Sequence, residues 1–304
     1  MPERILTNKE LEKMVDTTDD WIKSRSGIAA RHIAAIDETT ADMGAIAAQR
    51  ALDAAQLAPE KIDLIIVATA TPDKIFPSTA CLIQARLACK NAAAFDLGAA
   101  CSGFIYALSV ADQYIRTGNA QNILVIGSEV LSKVTDWQDR ATCVLFGDGA
   151  GAVVVSVAKE PGIIATRLHA MGEHADILSL GNATLTNEIC KIKMQGREVF
   201  KLAVNHFSDL ISDTLIANQI KLSELDWLIP HQANMRIIES LANKLQLPIE
   251  QVIITLQAQG NTSAASIPLA LDAAVRDGRI KKGQLILMAA FGGGITWGSA
   301  LLRW

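Results

Sequence analysis

Short apolar segments of strand length alternate with segments of helical periodicity along this chain. Residues 41–55 carry Ala, Met and Ile at helical spacing, and residues 77–87 show a second helical pattern. Residues 62–68 and 123–126 are apolar runs typical of buried strands. No linker rich in Gly, Pro or Ser interrupts the alternation. Strands that alternate with helices form sheets covered by helices on both faces, so the sequence predicts a compact α/β fold.

A weak internal repeat divides the chain into two halves. Residues 54–66 align with residues 217–229 at an offset of 163 residues, with Ala, Gln and Asp recurring. A glycine-rich apolar segment then follows in each half, at residues 146–155 and 291–302. Chance is an alternative for either match alone, but the same order of matches in both halves favours duplication. The expected halves are residues 1–160 and 161–304.

Composition and charge exclude several classes of protein. Half of the 304 residues are hydrophobic and the mean hydropathy is +0.25, but the longest apolar runs are far shorter than the ~20 residues of a membrane-spanning helix. The net charge of −4 with scattered Lys and Arg argues against nucleic-acid binding. The N-terminal residues lack the apolar stretch of a secretory signal, so we expect a cytoplasmic protein.

The chain has five cysteines, an odd number without a C-x-x-C pair. This pattern argues against a disulfide framework and against a zinc site, so no metal is expected. A buried structural thiol is the ordinary interpretation of any single cysteine. We keep that interpretation for Cys81, Cys89, Cys143 and Cys190.

Cys101 has a different context, within the segment DLGAACSGF at residues 96–104. An apolar strand pattern precedes it and a helical pattern follows at residues 105–115, which places the thiol at a turn before a helix N-terminus. Helix N-termini favour a thiolate and lower the pKa of cysteine. The small neighbours leave room for an acyl group, so Cys101 is a candidate nucleophile with an expected low pKa.

Two further polar residues lie at turns where α/β proteins place their chemistry. His231 follows a short apolar strand in the motif PHQAN, and Pro230 fixes the turn. Asn261 lies in a glycine-led turn before a helix, where Asn also serves as an ordinary turn residue or N-cap. The segment GDGAG at residues 147–151 has the wrong spacing for a dinucleotide fingerprint and is assigned to packing.

Taken together, these motifs resemble the catalytic centre of the β-ketoacyl-acyl-carrier-protein synthase III family, and the resemblance covers nearly the whole chain. The matching segments include residues 16–21, 106–114, 146–151, 230–234 and 291–294. The resemblance implies a thiolase-like five-layer αβαβα fold with two pseudo-equivalent halves. It also implies a homodimer, and an acyltransferase that initiates fatty acid biosynthesis without a cofactor.

The implied reaction is a decarboxylating Claisen condensation. Acetyl-CoA, or another acyl-CoA, acylates Cys101, and malonyl-acyl-carrier protein then attacks to give a 3-oxoacyl-acyl-carrier protein, CO2 and CoA. By resemblance, His231 and Asn261 stabilise the enolate that forms as CO2 leaves. The backbone amides of Cys101 and Gly293 are the implied oxyanion hole.

The resemblance also implies binding residues for CoA, the acyl group and the carrier protein. Trp21 and Arg140 are similar to a pair that sandwiches the CoA adenine. Phe76 is similar to a residue that crosses the dimer interface into the partner's acyl pocket, although spacing alone fits an ordinary core aromatic equally well. The remaining implied contacts are Arg25, Asn234 and Arg236 for CoA or pantetheine, and Arg236, Lys201 and Lys244 for the carrier protein.

Two alternatives and one departure accompany the resemblance. A related enzyme that loads a longer or unusual acyl primer in secondary metabolism fits the same motifs. A thiolase relative is disfavoured, because thiolases need a second cysteine late in the chain and none follows Cys190. The family has a β-strand before the segment that here starts at Met1, so we expect the sheet of the first half to lack that strand.

Overall fold

The computed structural model describes residues 1–160, 162–182 and 190–304 and has the predicted α/β organisation. The strands are β1 (Arg4–Thr7), β2 (Ala30–Ile33), β3 (Leu64–Ala68), β4 (Ala93–Leu97), β5 (Asn122–Glu129), β6 (Gly149–Ser156), β7 (Ile163–Ala170), β8 (Leu178–Leu180), β9 (Ile192–Met194), β10 (Trp227–Pro230), β11 (Leu285–Gly292) and β12 (Thr296–Arg303). The helices are α1 (Asn8–Leu11), α2 (Asp19–Ser26), α3 (Thr40–Ala55), α4 (Thr79–Arg86), α5 (Gly103–Arg116), α6 (Arg140–Cys143), α7 (Gly196–Ala217), α8 (Met235–Leu245), α9 (Leu256–Gln259) and α10 (Ser266–Arg276).

Each half contributes one four-stranded sheet. In the first half the order is β4-β3-β5-β6, where β3 runs parallel to both neighbours and β6 is antiparallel to β5. In the second half the order is β10-β11-β12-β7, where β10 and β11 are parallel and the other pairs are antiparallel. The short pairs β1-β2 and β8-β9 are separate antiparallel ribbons.

Helices cover both faces of both sheets. Helices α3 and α4 pack on the outer face of the first sheet, and α7 and α8 cover the outer side of the second. Helices α5 and α10 lie between the sheets, and their buried side chains join one continuous core with residues from both. This layering is the five-layer αβαβα arrangement that the family resemblance implies.

The internal repeat has a physical cause in the structure. Gln56 and Gln219, at equivalent positions of the repeat, both adopt the left-handed conformation just beyond a helix, with φ of 53° and 57°. Asp63 accepts the backbone N–H of Asn122 at 3.0 Å, and its counterpart Asp226 accepts that of Leu285 at 2.7 Å. The repeated Asp therefore holds the start of the neighbouring strand in each half.

The two sheets differ at one edge. Strand β12 is paired with β7, whereas β6, its counterpart in the first half, is the last strand of its sheet among residues 1–160, 162–182 and 190–304. The expected absence of a strand from the first half stays a prediction. The boundary between the halves also stays a prediction, because it falls at Pro161, which lies outside the described residues.

Arg31 is a buried cation that ties the N-terminal ribbon to the rest of the first half. Its guanidinium donates to the Leu6 carbonyl oxygen at 3.1 Å, to Asn8 Oδ1 at 2.8 Å and to the Val144 carbonyl oxygen at 2.8 Å. Burial lowers its pKa to about 10. Within the described parts of the chain, no helix is long and apolar enough to cross a bilayer.

The two halves are in direct backbone contact where β5 crosses the turn at residues 263–265. A Cβ atom added at Gly127 would lie 2.8 Å from the carbonyl carbon of Ala264 and 3.1 Å from the Cα of Ala265. Real Cβ atoms do not approach backbone so closely, so only glycine allows β5 to pack this near the second half.

We expect Gly127→Ala to destabilise the protein by about 1–3 kcal/mol, because the added methyl group overpacks a backbone contact that cannot yield like a side chain. Gly172→Ala is the matched control, since Gly172 is exposed and an added Cβ there has no heavy atom within 4 Å. Chemical denaturation of both variants measures the difference. Equal unfolding free energies for the two variants would contradict the proposed constraint.

Candidate active site

A cavity of ≈ 820 Å³ lies between the two halves and brings the predicted catalytic residues together. Cys101 comes from the first half, and His231 and Asn261 come from the second. All three are buried, with 8%, 2% and 6% of their surface exposed. The cavity therefore combines a thiol, an imidazole and an amide, all three largely shielded from bulk solvent.

Cys101 lies in a short 3₁₀ turn, Ala100–Ser102, directly before α5. Ala100 has a φ of 45°, a left-handed conformation that is strained for a residue with a Cβ atom. Hydrogen bonds to the first residue of β12 hold the turn in place. The Ser102 hydroxyl donates to the Thr296 carbonyl oxygen at 2.9 Å, and the Thr296 hydroxyl donates to the Ala99 carbonyl oxygen at 3.0 Å.

The protonation state of Cys101 differs from the sequence-based expectation. The turn before α5 predicted a lowered pKa, but burial raises the pKa of this thiol to about 12. Desolvation of the charged sulfur is the largest cause, and the negative charge of Glu129 adds to it. The prediction of a low pKa is therefore wrong, and the thiol needs a proton acceptor when it reacts.

Backbone from the second half passes close beside the thiol. A Cβ atom added at Gly292 would lie 2.7 Å from the backbone nitrogen of Cys101, so this position requires glycine. Gly293 follows at the end of β11 and lines the cavity next to Cys101. The amides of Cys101 and Gly293, predicted as an oxyanion hole, are thus carried by two segments that touch.

The His231 imidazole is held by a hydroxyl group on α10. Its Nδ1 lies 2.7 Å from the Ser266 Oγ, which also accepts the Gln232 backbone N–H at 3.3 Å. If Ser266 accepts from Gln232 and donates to Nδ1, the imidazole proton is on Nε2, the tautomer that can donate to a substrate oxygen. Burial lowers the pKa of His231 to about 3, so the ring is neutral.

Gln232 fixes the PHQAN turn by using its whole side-chain amide. Its Nε2 donates to the carbonyl oxygens of Pro230 at 2.7 Å and Ile253 at 3.0 Å. Its Oε1 accepts the backbone N–H groups of Thr255 at 2.9 Å and Leu256 at 3.3 Å. The glutamine therefore locks the backbone that carries His231 onto the segment leading to Asn261.

Asn261 joins the two halves through its backbone and shapes its own turn through its side chain. Its N–H donates to the Leu145 carbonyl oxygen at 2.9 Å, and its carbonyl oxygen accepts the Gly147 N–H at 3.0 Å. Its Oδ1 accepts the Ser263 N–H at 2.9 Å. Because Oδ1 is an acceptor here, the Nδ2 group is the part of the amide that can donate to a ligand.

Trp21 and Arg140, the predicted adenine clamp, are in contact with each other. The Arg140 guanidinium carbon lies 4.9 Å from the centroid of the Trp21 ring, and Nη1 donates to the Asp16 carbonyl oxygen at 2.9 Å. An aromatic ring between them would need roughly 7 Å, twice the ~3.5 Å of van der Waals contact. The clamp is therefore closed in this structure.

The other predicted CoA contacts line the same cavity. Arg25, Asn234 and Arg236 all contribute to its wall. Asn234 is also the N-cap of α8, where its Oδ1 accepts the Arg236 N–H at 2.9 Å. The Arg236 guanidinium carbon lies 5.8 Å from the centroid of the Phe200 ring.

The remaining predicted binding residues lie further out. Phe76 is 83% exposed and does not line the cavity, so the alternative of an ordinary core aromatic is wrong. Lys201 lies on the cavity wall and forms an ion pair with Glu198 at 3.0 Å. Lys244 does not line the cavity and lies 3.7 Å from an Asp209 carboxylate oxygen.

Comparison with known proteins identifies the family. Residues 95–172 match the profile described as 3-oxoacyl-[acyl-carrier-protein] synthase III, and residues 215–304 match the profile of its C-terminal part. The β-ketoacyl-[acyl-carrier-protein] synthase III of Methylococcus capsulatus is 56% identical over 308 residues, covering 100% of this chain and 96% of the relative. The chain belongs to the β-ketoacyl-[acyl-carrier-protein] synthase III family.

Solved synthase III structures confirm the thiolase-like fold. The crystal structure of 3-oxoacyl-[acyl-carrier-protein] synthase III from Aquifex aeolicus is 52% identical with a TM-score of 0.96, covering 100% of this chain and 97% of that one. The Thermus thermophilus synthase III is 43% identical with a TM-score of 0.95, covering 100% and 96%.

Membership of the synthase III family makes the protein an acyl-transferring condensing enzyme of fatty acid biosynthesis, as the sequence predicted. The alternative of an unusual primer in secondary metabolism is not favoured. A priming β-ketosynthase of the R1128 polyketide pathway is 37% identical, well below the 56% of the synthase III relative.

Several polar residues of this synthase III site were missed from sequence. Thr296 and Ser266 hold the Cys101 turn and His231 in place, Ser263 lines the same cavity as Cys101, and the negative charge of the buried Glu129 raises the pKa of the thiol. Only the turn motif GNTSAAS signalled the two serines, and nothing in the strand pattern singled out Glu129. Among the residues that the structure describes, no group of His, Cys, Asp and Glu is arranged to hold a metal ion.

His231 should stay neutral from pH 8 down to pH 5, because burial lowers its pKa to about 3. Unfolded histidine takes up a proton near pH 6.5, so the stabilisation is complete above pH 6.5 and is lost as pH falls towards 3. Relative to His231→Gln, the wild type should lose about 2 kcal/mol of unfolding free energy between pH 6.5 and 5. Imidazole NMR and denaturation measure both effects, and a His231 resonance that titrates near pH 6 would contradict them.

Proposed function

We propose that Cys101 accepts an acyl group from an acyl-CoA, preferentially acetyl-CoA, and passes it to malonyl-acyl-carrier protein. The products are a 3-oxoacyl-acyl-carrier protein, CO2 and CoA. The observation that carries this proposal is the meeting of one thiol with two neutral hydrogen-bond donors, His231 and Asn261, in one buried cavity. A thiol alone suits many acyl transfers, whereas the two neutral donors suit the formation of an enolate.

In the first half-reaction the sulfur of Cys101 attacks the thioester carbonyl carbon. Negative charge develops on the carbonyl oxygen, and the amides of Cys101 and Gly293 are proposed to stabilise it. The contact between Gly292 and the Cys101 nitrogen supports this assignment, because it brings the second backbone segment beside the first. The bond to the CoA sulfur then breaks, the proton that the Cys101 thiol gives up ends on that sulfur, and CoA leaves as a thiol with the acyl group on Cys101.

In the second half-reaction the malonyl thioester loses CO2 and becomes an enolate, whose carbon attacks the acyl carbon on Cys101. The bond from that carbon to the Cys101 sulfur then breaks, and the sulfur takes up a proton to regenerate the thiol. We propose that the Nε2–H of His231 and the Nδ2–H of Asn261 donate to the enolate oxygen. Burial supports these roles, since fixed neutral donors act more strongly on a developing charge where water is excluded. A neutral imidazole also avoids an ion pair with the malonyl carboxylate, which would retard its loss.

The proposed CoA path runs from the closed clamp to the thiol. Trp21 and Arg140 stack on the adenine after they separate, and Arg25, Asn234 and Arg236 line the way inward. Guanidinium groups suit phosphate oxygens and aromatic rings. In this proposal CoA enters as a substrate, and the reaction uses no resident cofactor.

We further propose a cytoplasmic homodimer in which Phe76 reaches the acyl pocket of the partner subunit. The loop that carries it exposes Ile75 at 68% and Phe76 at 83%, which supports a protein contact because neighbouring apolar side chains rarely face water together. Buried thiols such as Cys101 and Cys143 suit a reducing compartment.

Variants should separate the two half-reactions. Cys101→Ser should lose acylation by acetyl-CoA, whereas Cys143→Ser, which alters another buried thiol, should keep it. His231→Ala and Asn261→Ala should still be acylated but should decarboxylate malonyl-acyl-carrier protein about 10²–10³-fold more slowly. Intact-protein mass spectrometry follows the acyl adduct, and release of CO2 follows the second step. Normal decarboxylation by the Asn261 variant would refute its role.

Carrier-protein docking should depend on charge at the cavity mouth, with Arg236, Lys201 and Lys244 as the proposed contacts. Arg236→Glu should raise the apparent KM for malonyl-acyl-carrier protein, and the effect should shrink as salt screens it. Lys244→Glu should raise the apparent KM less, because Lys244 lies outside the cavity and already faces Asp209. A defect of Arg236→Glu that does not change with salt would indicate lost pantetheine contacts instead.

A further inference from the structure

A serine that lies outside the cavity holds the ring of His231. Ser266 is the first residue of α10 and only 1% of its surface is exposed. Its Oγ lies 2.7 Å from Nδ1 of His231 and accepts the backbone N–H of Gln232 at 3.3 Å. His231 lines the cavity, whereas Ser266 does not. Ser266 can therefore act on a bound substrate only through the imidazole.

The hydrogen bond at Nδ1 decides which nitrogen of the imidazole carries the proton. His231 is 2% exposed, and burial lowers its pKa to about 3, so the neutral ring has one donor nitrogen and one acceptor nitrogen. Two arrangements fit the contact of 2.7 Å. Either the Ser266 hydroxyl donates to Nδ1 and the ring proton is on Nε2, or Nδ1–H donates to Ser266 and Nε2 has no proton.

The hydrogen-bond partners of Ser266 favour the first arrangement. Within the part of the chain that the structure describes, its Oγ has two partners, the imidazole and the Gln232 N–H, and only the imidazole can accept a proton. In the second arrangement the hydroxyl would accept twice, and its own proton would be buried without an acceptor. An unmet buried donor costs free energy, so the first arrangement is the more stable one.

The place of Ser266 in the fold supports the same arrangement. Helix α10 starts at Ser266, and the aligned peptide dipoles of a helix give its N-terminus a partial positive charge. Nδ1 of His231 lies beside this end, because its partner is the first helical residue. A lone pair is favoured there over an N–H group, so the dipole also directs the ring proton to Nε2.

The bond to Ser266 also fixes the rotation of the ring. The backbone of His231 is held by its N–H, which donates to the Ala289 carbonyl oxygen at 2.8 Å, and by its carbonyl oxygen, which accepts the Ala233 N–H at 3.0 Å. Neither bond restrains the ring itself. Among residues 1–160, 162–182 and 190–304, only the hydroxyl of Ser266 forms a hydrogen bond with the imidazole.

The same segment of chain sets the hydrogen-bond direction of the second proposed donor. Oδ1 of Asn261 accepts the Ser263 N–H at 2.9 Å, so Nδ2 is the atom left to donate. In both His231 and Asn261, the acceptor atom is bound by residues 263–266 and the donor atom remains for a ligand. The segment thus gives both side chains the same polarity.

We propose that Ser266 sets the tautomer and the orientation of His231 by donating its hydroxyl proton to Nδ1, so that Nε2 carries the proton that is offered to the enolate oxygen. The inference rests on the proposed role of His231 in malonyl decarboxylation. Ser266 is a positioning residue, because it acts through the imidazole. Its hydroxyl keeps its own proton throughout the reaction, and no proton is transferred at this position.

The position of the ring proton tests the proposal in the wild-type protein. In protein with 15N-labelled histidine at neutral pH, the shifts of the two ring nitrogens distinguish the tautomers, and His231→Gln identifies the His231 signals among the five histidines. We expect a protonated Nε2 and an unprotonated Nδ1. The Ser266→Ala variant should show a mixture of both tautomers. A wild-type ring with its proton on Nδ1 would overturn the proposal, even if every Ser266 variant failed to fold.

The kinetics of Ser266→Ala test the consequence for the reaction. Decarboxylation of malonyl-acyl-carrier protein should slow about 10–10²-fold through kcat and not KM, because the donor is misoriented but still present. Acetylation of Cys101 by acetyl-CoA should not change. Ser266→Thr keeps the hydroxyl and should restore most of the rate. Normal decarboxylation by Ser266→Ala would contradict the proposal.

Ser299→Ala is the matched control for loss of a buried serine hydroxyl. The Ser299 Oγ lies 2.7 Å from the Thr214 Oγ1 and is fully buried, but Ser299 does not line the cavity. This variant should decarboxylate at the normal rate and keep the wild-type tautomer of His231. The same loss of rate in Ser299→Ala and Ser266→Ala would mean that any buried hydroxyl matters equally, and the proposal would fail.

A double variant separates positioning from a general structural effect. If Ser266 acts only through the imidazole, adding Ser266→Ala to His231→Ala should slow decarboxylation no further. A double variant that is slower than His231→Ala by the full factor of the single change would overturn the positioning role. Decarboxylation at the normal rate by His231→Ala would instead refute the proposed function of His231, so the two failures are distinguishable.

Discussion

The site depends on a backbone contact between the two halves at Gly127. Strand β5 of the first half crosses the turn of the second half there with no side chain between them. Ser263 belongs to that turn, Asn261 lies two residues before it, and Glu129 lies two residues beyond Gly127 at the end of the strand. A bulkier residue at this crossing would push the thiol side and the donor side of the cavity apart.

Burial also determines the protonation states of Cys101 and His231. The same desolvation raises the pKa of Cys101 and lowers that of His231, so both side chains are held in their neutral forms. A neutral thiol and a neutral imidazole suit a reaction in which charge appears on substrate oxygen atoms and is removed again. A neutral thiol also needs a proton acceptor within the site when Cys101 reacts.

Much of the fold could be predicted from local patterns. The helix expected at residues 41–55 is α3 (Thr40–Ala55), since its spacing of small and apolar residues is regular over four turns. The strand expected from residue 62 starts at Leu64, because Asp63 uses its carboxylate to hold the start of β5. Cys101 and His231 could be identified from sequence because each lies in a turn after a predicted strand, within the motifs DLGAACSGF and PHQAN.

What could not be predicted depends on contacts between distant parts of the chain. Thr296 and Ala99 meet only because the halves pack together, and neither has a local pattern that sets it apart. The sequence predicted a lowered pKa for Cys101, whereas burial between the packed halves raises it. The helix N-terminus can be read from local sequence, whereas burial can be measured only in three dimensions.

The closed contact between Trp21 and Arg140 bears on the order in which the two thioesters use the cavity. In the proposed reaction, the adenine of CoA must part the indole and the guanidinium, and its own stacking compensates the ~0.5–1 kcal/mol of cation–π attraction that is lost. A pantetheine arm attached to a carrier protein ends before any such base and leaves the pair together. In the proposed reaction the entrance therefore opens for the nucleotide-bearing donor and stays closed for the carrier-borne acceptor, and release of CoA restores the form that the second substrate meets.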